Sequence, residues 1–201
     1  QNEFSDYSAV VINEIHYRPS SDQGEENDYE FIELINTSNL PLNLGDFNID
    51  LGLSYSLLPS VFIPSSGYLI LAFNSISYQD LSNSDPDSGV LVEVHGIVTD
   101  PVISLNNFGG QIIINEPLYG NQIDFVSFSS SIPWPVESNG QGPSLELISP
   151  ELDNSNPDSW IANSTVLGGS PGETNSLICT DGPFDANNDE EIGEGEYGAC
   201  N

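Results

Sequence analysis

Apolar residues occur along this chain in short runs cut by turn residues, at 10–15, 29–36, 68–73, 90–94, 111–114, 123–128 and 144–148. These runs are rich in β-branched and aromatic side chains and bounded by Gly, Pro, Asn and Ser, which predicts strands. Within 29–36, Ile32 and Leu34 share one face with Glu30, while Phe31 and Ile35 share the other with Glu33. A strand apolar on both faces belongs in the middle of a covered sheet. Pro64-Ser65-Ser66-Gly67, Asn106-Asn107-Phe108-Gly109-Gly110 and Tyr119-Gly120-Asn121 offer the left-handed positions that tight turns need. Helix has little support, because five Ala, no Lys and no Met stand against 32 Gly and Pro. No fixed-period repeat is present. The pattern predicts an all-β sandwich or barrel.

A length of 201 residues suits one domain with a small appendage. The apolar fraction of 37% is low, yet nineteen aromatic residues argue against a disordered chain. Thirty-one acidic residues face a single cation, Arg18, for a net charge of −30. No basic surface exists to displace counterions from phosphate, so nucleic acid is excluded as a partner. Anionic membrane surfaces are excluded by the same charge, and no apolar run reaches the ~18–20 residues of a spanning helix. Self-repulsion at this charge calls for screening salt, bound divalent cations, or both. Two cysteines in a chain without Met or Lys predict one disulfide and an oxidising compartment. The opening Gln1 reads as a cleaved, mature terminus. The expected location is extracellular or at the cell surface.

Three units are expected: a polar arm over 1–9, a sandwich over 10–176, and an acidic tail over 177–201. In the tail, pairing of Cys179 with Cys200 would close a loop and stabilise it by ~3 kcal/mol in the chain-entropy account. Unpaired thiols are the alternative. Between them, Asp185, Asn187 and Asp189 occupy positions 1, 3 and 5 of a twelve-residue loop, the Glu191 carbonyl position 7, Ile192 position 8 and Glu196 position 12. Hard oxygen donors at that spacing can wrap calcium. The segment resembles the EF-hand-like loops of secreted calcium modules, but Glu190 replaces the usual Gly at position 6 and no flanking helices are evident. A solvated acidic tail is the competing reading. Weaker metal candidates are the cluster Asp22, Glu25, Glu26 and Asp28, and Glu14 and Glu33 inside apolar strands. A buried carboxylate must be paired, hydrogen-bonded or metal-bound. Strand alternation could equally turn Glu14 and Glu33 outward.

The order of motifs through the first ~175 residues resembles the bacterial lamin-tail domain family. Val10-Val11-Ile12-Asn13-Glu14-Ile15-His16-Tyr17 looks like its opening strand and Tyr29-Glu30-Phe31-Ile32-Glu33-Leu34-Ile35-Asn36 like its second. Leu42-Asn43-Leu44, Ile63-Pro64, Gly67-Tyr68-Leu69-Ile70-Leu71-Ala72, Ile123-Asp124-Phe125-Val126 and Trp134-Pro135 follow in order. Gly142-Pro143-Ser144-Leu145-Glu146-Leu147, Asn156-Pro157-Asp158-Ser159-Trp160 and Gly169-Ser170-Pro171-Gly172 complete the series. The resemblance implies an immunoglobulin-like β-sandwich used outside the cell for attachment or assembly. It implies no catalytic residues.

Hydrolase chemistry fails on its own terms. Gly168-Gly169-Ser170-Pro171-Gly172 matches G-x-S-x-G, but Pro171 has no N–H to offer an oxyanion. Two histidines, His16 and His95, are too few for an imidazole-rich zinc site. Trp134 and Trp160 suit either a sugar platform or core packing. Asn36-Thr37-Ser38 and Asn163-Ser164-Thr165 fit the N-glycosylation sequon. The chain is therefore expected to be a non-catalytic extracellular β-sandwich with a disulfide-closed, calcium-binding tail. Its expected role is as a subunit of a surface layer, fibre or adhesive assembly, self-associating in part through the arm with Phe4 and Tyr7. The alternative role is a carbohydrate- or protein-binding module of a larger secreted enzyme.

Overall fold

A computed structural model describes residues 7–25, 28–74, 104–163 and 168–176, and the backbone of 92–96. Twelve strands are described in chain order. They are β1 (Val10–His16), β2 (Phe31–Asn36), β3 (Leu42–Asn43), β4 (Asn48–Asp50), β5 (Ser54–Ser56) and β6 (Phe62–Ile63). There follow β7 (Tyr68–Ala72), β8 (Val92–Gly96), β9 (Gly109–Asn115), β10 (Gln122–Ser129), β11 (Leu145–Leu147) and β12 (Trp160–Ala162). Among the described residues the only helical turns are three-residue 3-10 segments, in line with the poor helix formers of the chain.

One sheet runs β12-β11-β1-β2-β7-β8, a second runs β10-β9-β4-β5, and β3 with β6 form a small third ribbon. All pairings are antiparallel except β7 with β8. The core lies between the two larger sheets. Ile12, Ile15, Ile32, Leu34, Leu69 and Leu71 from the first meet Ile49, Ile112, Ile114, Val126 and Phe128 from the second, all buried. Two layers of sheet about one apolar core is sandwich architecture. β2 is central, as its two-faced pattern predicts, with β1 and β7 on either side.

β1 carries an irregularity that decides the rest. Its register to β2 shifts between Ile12 and Glu14. Val10 and Ile12 face the core, and strict alternation would send Glu14 in after them. The extra residue at Asn13 resets the phase, so Ile15 takes the core position while Asn13 and Glu14 both make hydrogen bonds on the outer face. Asp124 of β10 ties this site to the second sheet: its Oδ2 accepts from the Ile12 N–H at 2.7 Å and from Asn154 Nδ2 at 2.7 Å.

Candidate functional site

The outer face of the first sheet is not open to water. Glu146 of β11, Glu14 of β1 and Glu33 of β2 stand directly opposite one another on three adjacent strands, and all three are fully buried. Like charges in register across a sheet repel, so this row needs compensation. It comes from the segment 168–176, which crosses over the row. The Ser170 N–H donates to Glu14 Oε1 at 3.0 Å, and the Gly172 N–H to Glu33 Oε2 at 2.6 Å. Glu146 accepts from Ser170 Oγ at 2.5 Å, from the Ser176 N–H at 3.0 Å, and from the Ser176 hydroxyl and the Asn163 amide. Ser144 Oγ donates to Glu14 Oε1 at 2.5 Å and Asn13 Nδ2 to Glu33 Oε1 at 2.7 Å. Asn175 locks the crossing segment down through Nδ2 to the Leu147 carbonyl at 2.8 Å and through reciprocal bonds with Asn13.

Glycine is required where this strap passes closest. Gly169 has φ +86°, and a Cβ there would lie 1.8 Å from Glu14 Oε1 and 2.5 Å from Ser144 Oγ. Left-handed backbone and the absence of a side chain are both needed, which only glycine supplies without strain. The G-x-S-x-G match is thus a fastening: Ser170 binds two glutamates of the row.

Every hydrogen bond just given comes from a neutral donor. Burial therefore dominates: it raises Glu14 well above the ordinary carboxyl range, and Glu33 and Glu146 nearby push it further in the same direction. Burial likewise pushes Glu33 up to about 8, against the hydrogen bonds from Gly172 and Asn13. Glu14 Oε2 is buried with no hydrogen-bond partner among the described residues. Both donors to Glu14, Ser144 Oγ and the Ser170 N–H, converge on Oε1. Beside the row, buried His16 sits between two carbonyls, Nδ1 3.0 Å from Tyr29 O and Nε2 3.2 Å from Gly142 O. Burial lowers it to about 4, while the two carbonyls pull it upward. The cluster holds the strap to the sheet through these hydrogen bonds.

The remaining sequence candidates distribute as follows. Glu14 and Glu33 come together, and Glu146, absent from the sequence expectations, completes the row. Asp22 and Glu25 are exposed on the loop after β1, and Asp28 accepts from Asn74 Nδ2 at 2.7 Å. Glu26 lies outside the described residues. Among the described residues no group of three or more His, Cys, Asp or Glu is disposed to hold a metal ion. Asp185, Asn187, Asp189, Glu191 and Glu196, and Cys179 and Cys200, also lie outside the described residues, as does 1–6 of the arm. Tyr7 of the arm packs edge-on against Phe47, with ring centroids 4.8 Å apart. Trp134 and Trp160 are buried with centroids 5.9 Å apart, and Trp160 Nε1 donates to the Asn154 carbonyl at 2.8 Å. They are core, which removes the sugar-platform reading. Both sequon asparagines are buried: Asn36 Nδ2 donates to the Leu40 and Pro64 carbonyls, and Asn163 Nδ2 to Glu146. Neither amide nitrogen is offered to solvent in the folded chain.

The fold and its buried row define an all-β sandwich module whose buried polar row fastens a crossing segment to the sheet. The Lamin Tail Domain family model matches residues 4–129, well over half the chain, and the chain belongs to that family. No curated protein matches it. The match ends at the last residue of β10. Glu14 and Glu33 lie inside it, while β11, β12, Glu146 and the strap lie beyond.

Proposed function

We propose that this chain is a non-catalytic, extracellular structural protein: a calcium-stabilised, immunoglobulin-like β-sandwich that serves as a subunit of a surface layer, fibre or adhesive assembly. The observation that carries this reading is the glutamate row. Among the described residues, three of the four fully buried carboxylates, and the serine of the nucleophile-like motif, are all consumed in fastening the strap to the sheet. That is the use expected of a scaffold. The net charge of −30 supports the extracellular, cation-rich setting, since divalent ions relieve a self-repulsion that screening only reduces. In this reading the tail, closed by Cys179–Cys200, holds calcium through Asp185, Asn187, Asp189, the Glu191 carbonyl and Glu196.

The test is light scattering and melting of the full chain with millimolar calcium and with chelator. Calcium is expected to promote assembly and raise the melting temperature, by about 2.7 kcal/mol of stability at a hundredfold excess over Kd. Asp185→Ala with Glu196→Ala is expected to abolish the calcium dependence. A chain that stays monomeric at every calcium concentration would remove the assembly reading, and an unchanged melting temperature would remove the calcium.

A further inference from the structure

We propose that copies of this chain join pole to pole, the β9–β10 hairpin tip of one seated in the Arg18 cleft of the next. This rests on the assembly reading above and says which surfaces make the contact. The tip is built to project. Glu116 folds its carboxylate back onto the Leu118 N–H at 2.8 Å, the Tyr119 N–H at 2.7 Å, the Asn121 N–H at 3.2 Å and Asn121 Nδ2 at 3.1 Å. The Glu116 N–H closes the loop on the Asn121 carbonyl at 3.0 Å. The one charge of the tip is thereby occupied within it. Leu118 and Tyr119 are left 71% exposed on a preorganised loop, where docking costs little ordering entropy.

The cleft has about 750 Å³ and is lined by Arg18, Pro19, Ser21, Gly24, Glu25, Asn139 and Gly140. It holds the only Lys or Arg of the chain. Arg18 Nη1 donates to Asn139 Oδ1 at 2.6 Å, and the Gly140 N–H donates to the Arg18 carbonyl at 3.1 Å. A Cβ at Gly140 would come within 3.2 Å of Arg18 Nε, so backbone lies close under the guanidinium. A planar cation held at its edge can stack on a tyrosine ring. Glu25 on the rim is an acceptor for the phenol.

Tip and cleft lie at opposite ends of the sandwich. β10 runs alongside β1 in the same direction: Asp124 meets Ile12, and the Phe128 ring meets Tyr17 at 5.0 Å. The tip precedes β10. Beyond its far end Asn139 Nδ2 reaches the Ser130 carbonyl at 3.5 Å while holding Arg18. Eight strand residues separate the two poles by roughly 26 Å. Copies of a chain carrying −30 repel each other over most of their surface, so a contact that sets the tip, whose single carboxylate is Glu116, against the sole cation avoids the worst of that repulsion, even with Glu25 in the cleft lining. Such a contact is heterologous and leaves a free tip and a free cleft at the ends, so it propagates into a filament.

The experiment uses the full chain in millimolar calcium at moderate salt, read by sedimentation velocity. Tyr119→Ser with Leu118→Ser disables the tip. Arg18→Gln disables the cleft, and Ser21→Trp fills it with Arg18 intact. Each variant alone is expected to lose at least tenfold in self-association while melting within a few degrees of wild type. Mixing the tip variant with either cleft variant is expected to give heterodimers and nothing larger, because one intact interface remains. Undiminished assembly of the single variants overturns the proposal and leaves the assembly reading standing. Monomers in the mixture overturn the pairing of these two surfaces. A wild-type chain that never assembles removes both.

Discussion

Glu116 at the hairpin tip and Glu33 under the strap are the same side chain in the same kind of hydrogen-bonding company, with opposite outcomes. Burial is the largest single influence on each and pushes each carboxyl up. At the tip, the N–H groups of Leu118, Asn121 and Tyr119 and the Asn121 amide together outweigh it and hold Glu116 below the ordinary range. Under the strap, the Gly172 N–H and the Asn13 amide cannot, and Glu33 rises to about 8. Depth decides between them, because desolvation penalises the charged form while water at the tip still solvates it. Outside, a carboxylate templates a turn. Inside, a neutral acid lets three glutamates share one row of a sheet.

The largest effect that would sharpen this contrast comes from the strap. Glu146→Ala leaves the Ser176 N–H and hydroxyl, the Ser170 hydroxyl and the Asn163 amide without their acceptor. A loss of about 3 kcal/mol is expected from stranded donors, which for a chain of this size lowers the melting temperature by about 6–12 °C. Calorimetry gives the number. Amide exchange of 168–176 should accelerate at the same time; an unchanged exchange pattern would mean that the strap is held by something else.

Next in size is the pH dependence. Glu33 has an ordinary value of 4.5 and a folded value of about 8, so between those pH values the native state holds a proton that the unfolded chain has released. Stability therefore falls as pH rises through that window. Glu14 acts with the same sign. His16, lowered from 6.5 to about 4, acts oppositely: the native state holds fewer protons between those values, and stability falls as pH drops through them. From about 4.5 to 6.5 His16 offsets one of the two glutamates, so stability falls as pH rises across that window and falls most steeply between about 6.5 and 8. Glu33→Gln is expected to remove about 2 kcal/mol of that decline, read as a flatter plot of melting temperature against pH. A decline of undiminished slope would place the protons on other groups. Glu116→Gln, the half-buried counterpart, should move the melting temperature by at most about 2 °C at any pH. Its signature is local: faster exchange of the Leu118, Tyr119 and Asn121 amides. A melting shift as large as that of Glu146→Ala would break the comparison.

Much of the fold was legible because long strands advertise themselves. The alternation in 29–36 correctly makes β2 central, with Ile32 and Leu34 in the core and Glu33 on the other face. The predicted run at 90–94 overlaps β8, Val92–Gly96, and its first two residues lie outside the described residues. β3, β4, β5 and β6 have two or three residues each, too few to show any period. Glu146 carried a usable signal. Leu145-Glu146-Leu147 places one acid between apolar residues, as Ile32-Glu33-Leu34 does. What pattern could not show is that both acids flank Glu14, since residues 19 and 132 positions further along the chain become its neighbours only through the sheet order.

Composition and periodicity by themselves determined an all-β chain of extreme acidity and its central strand, because those properties depend on side-chain size, alternation and charge read locally, while the order of its motifs carried the resemblance to its family. Only the tertiary structure decided which way Glu14 turns, since one bulged residue at Asn13 reverses the face of everything after it. It also decided that Gly168-Gly169-Ser170-Pro171-Gly172 is a strap, that two tryptophans are core, and that Arg18 and Tyr119 sit at opposite poles. Those outcomes depend on which distant segments share a surface, and chain-distant contacts are set by the packing of the whole sheet.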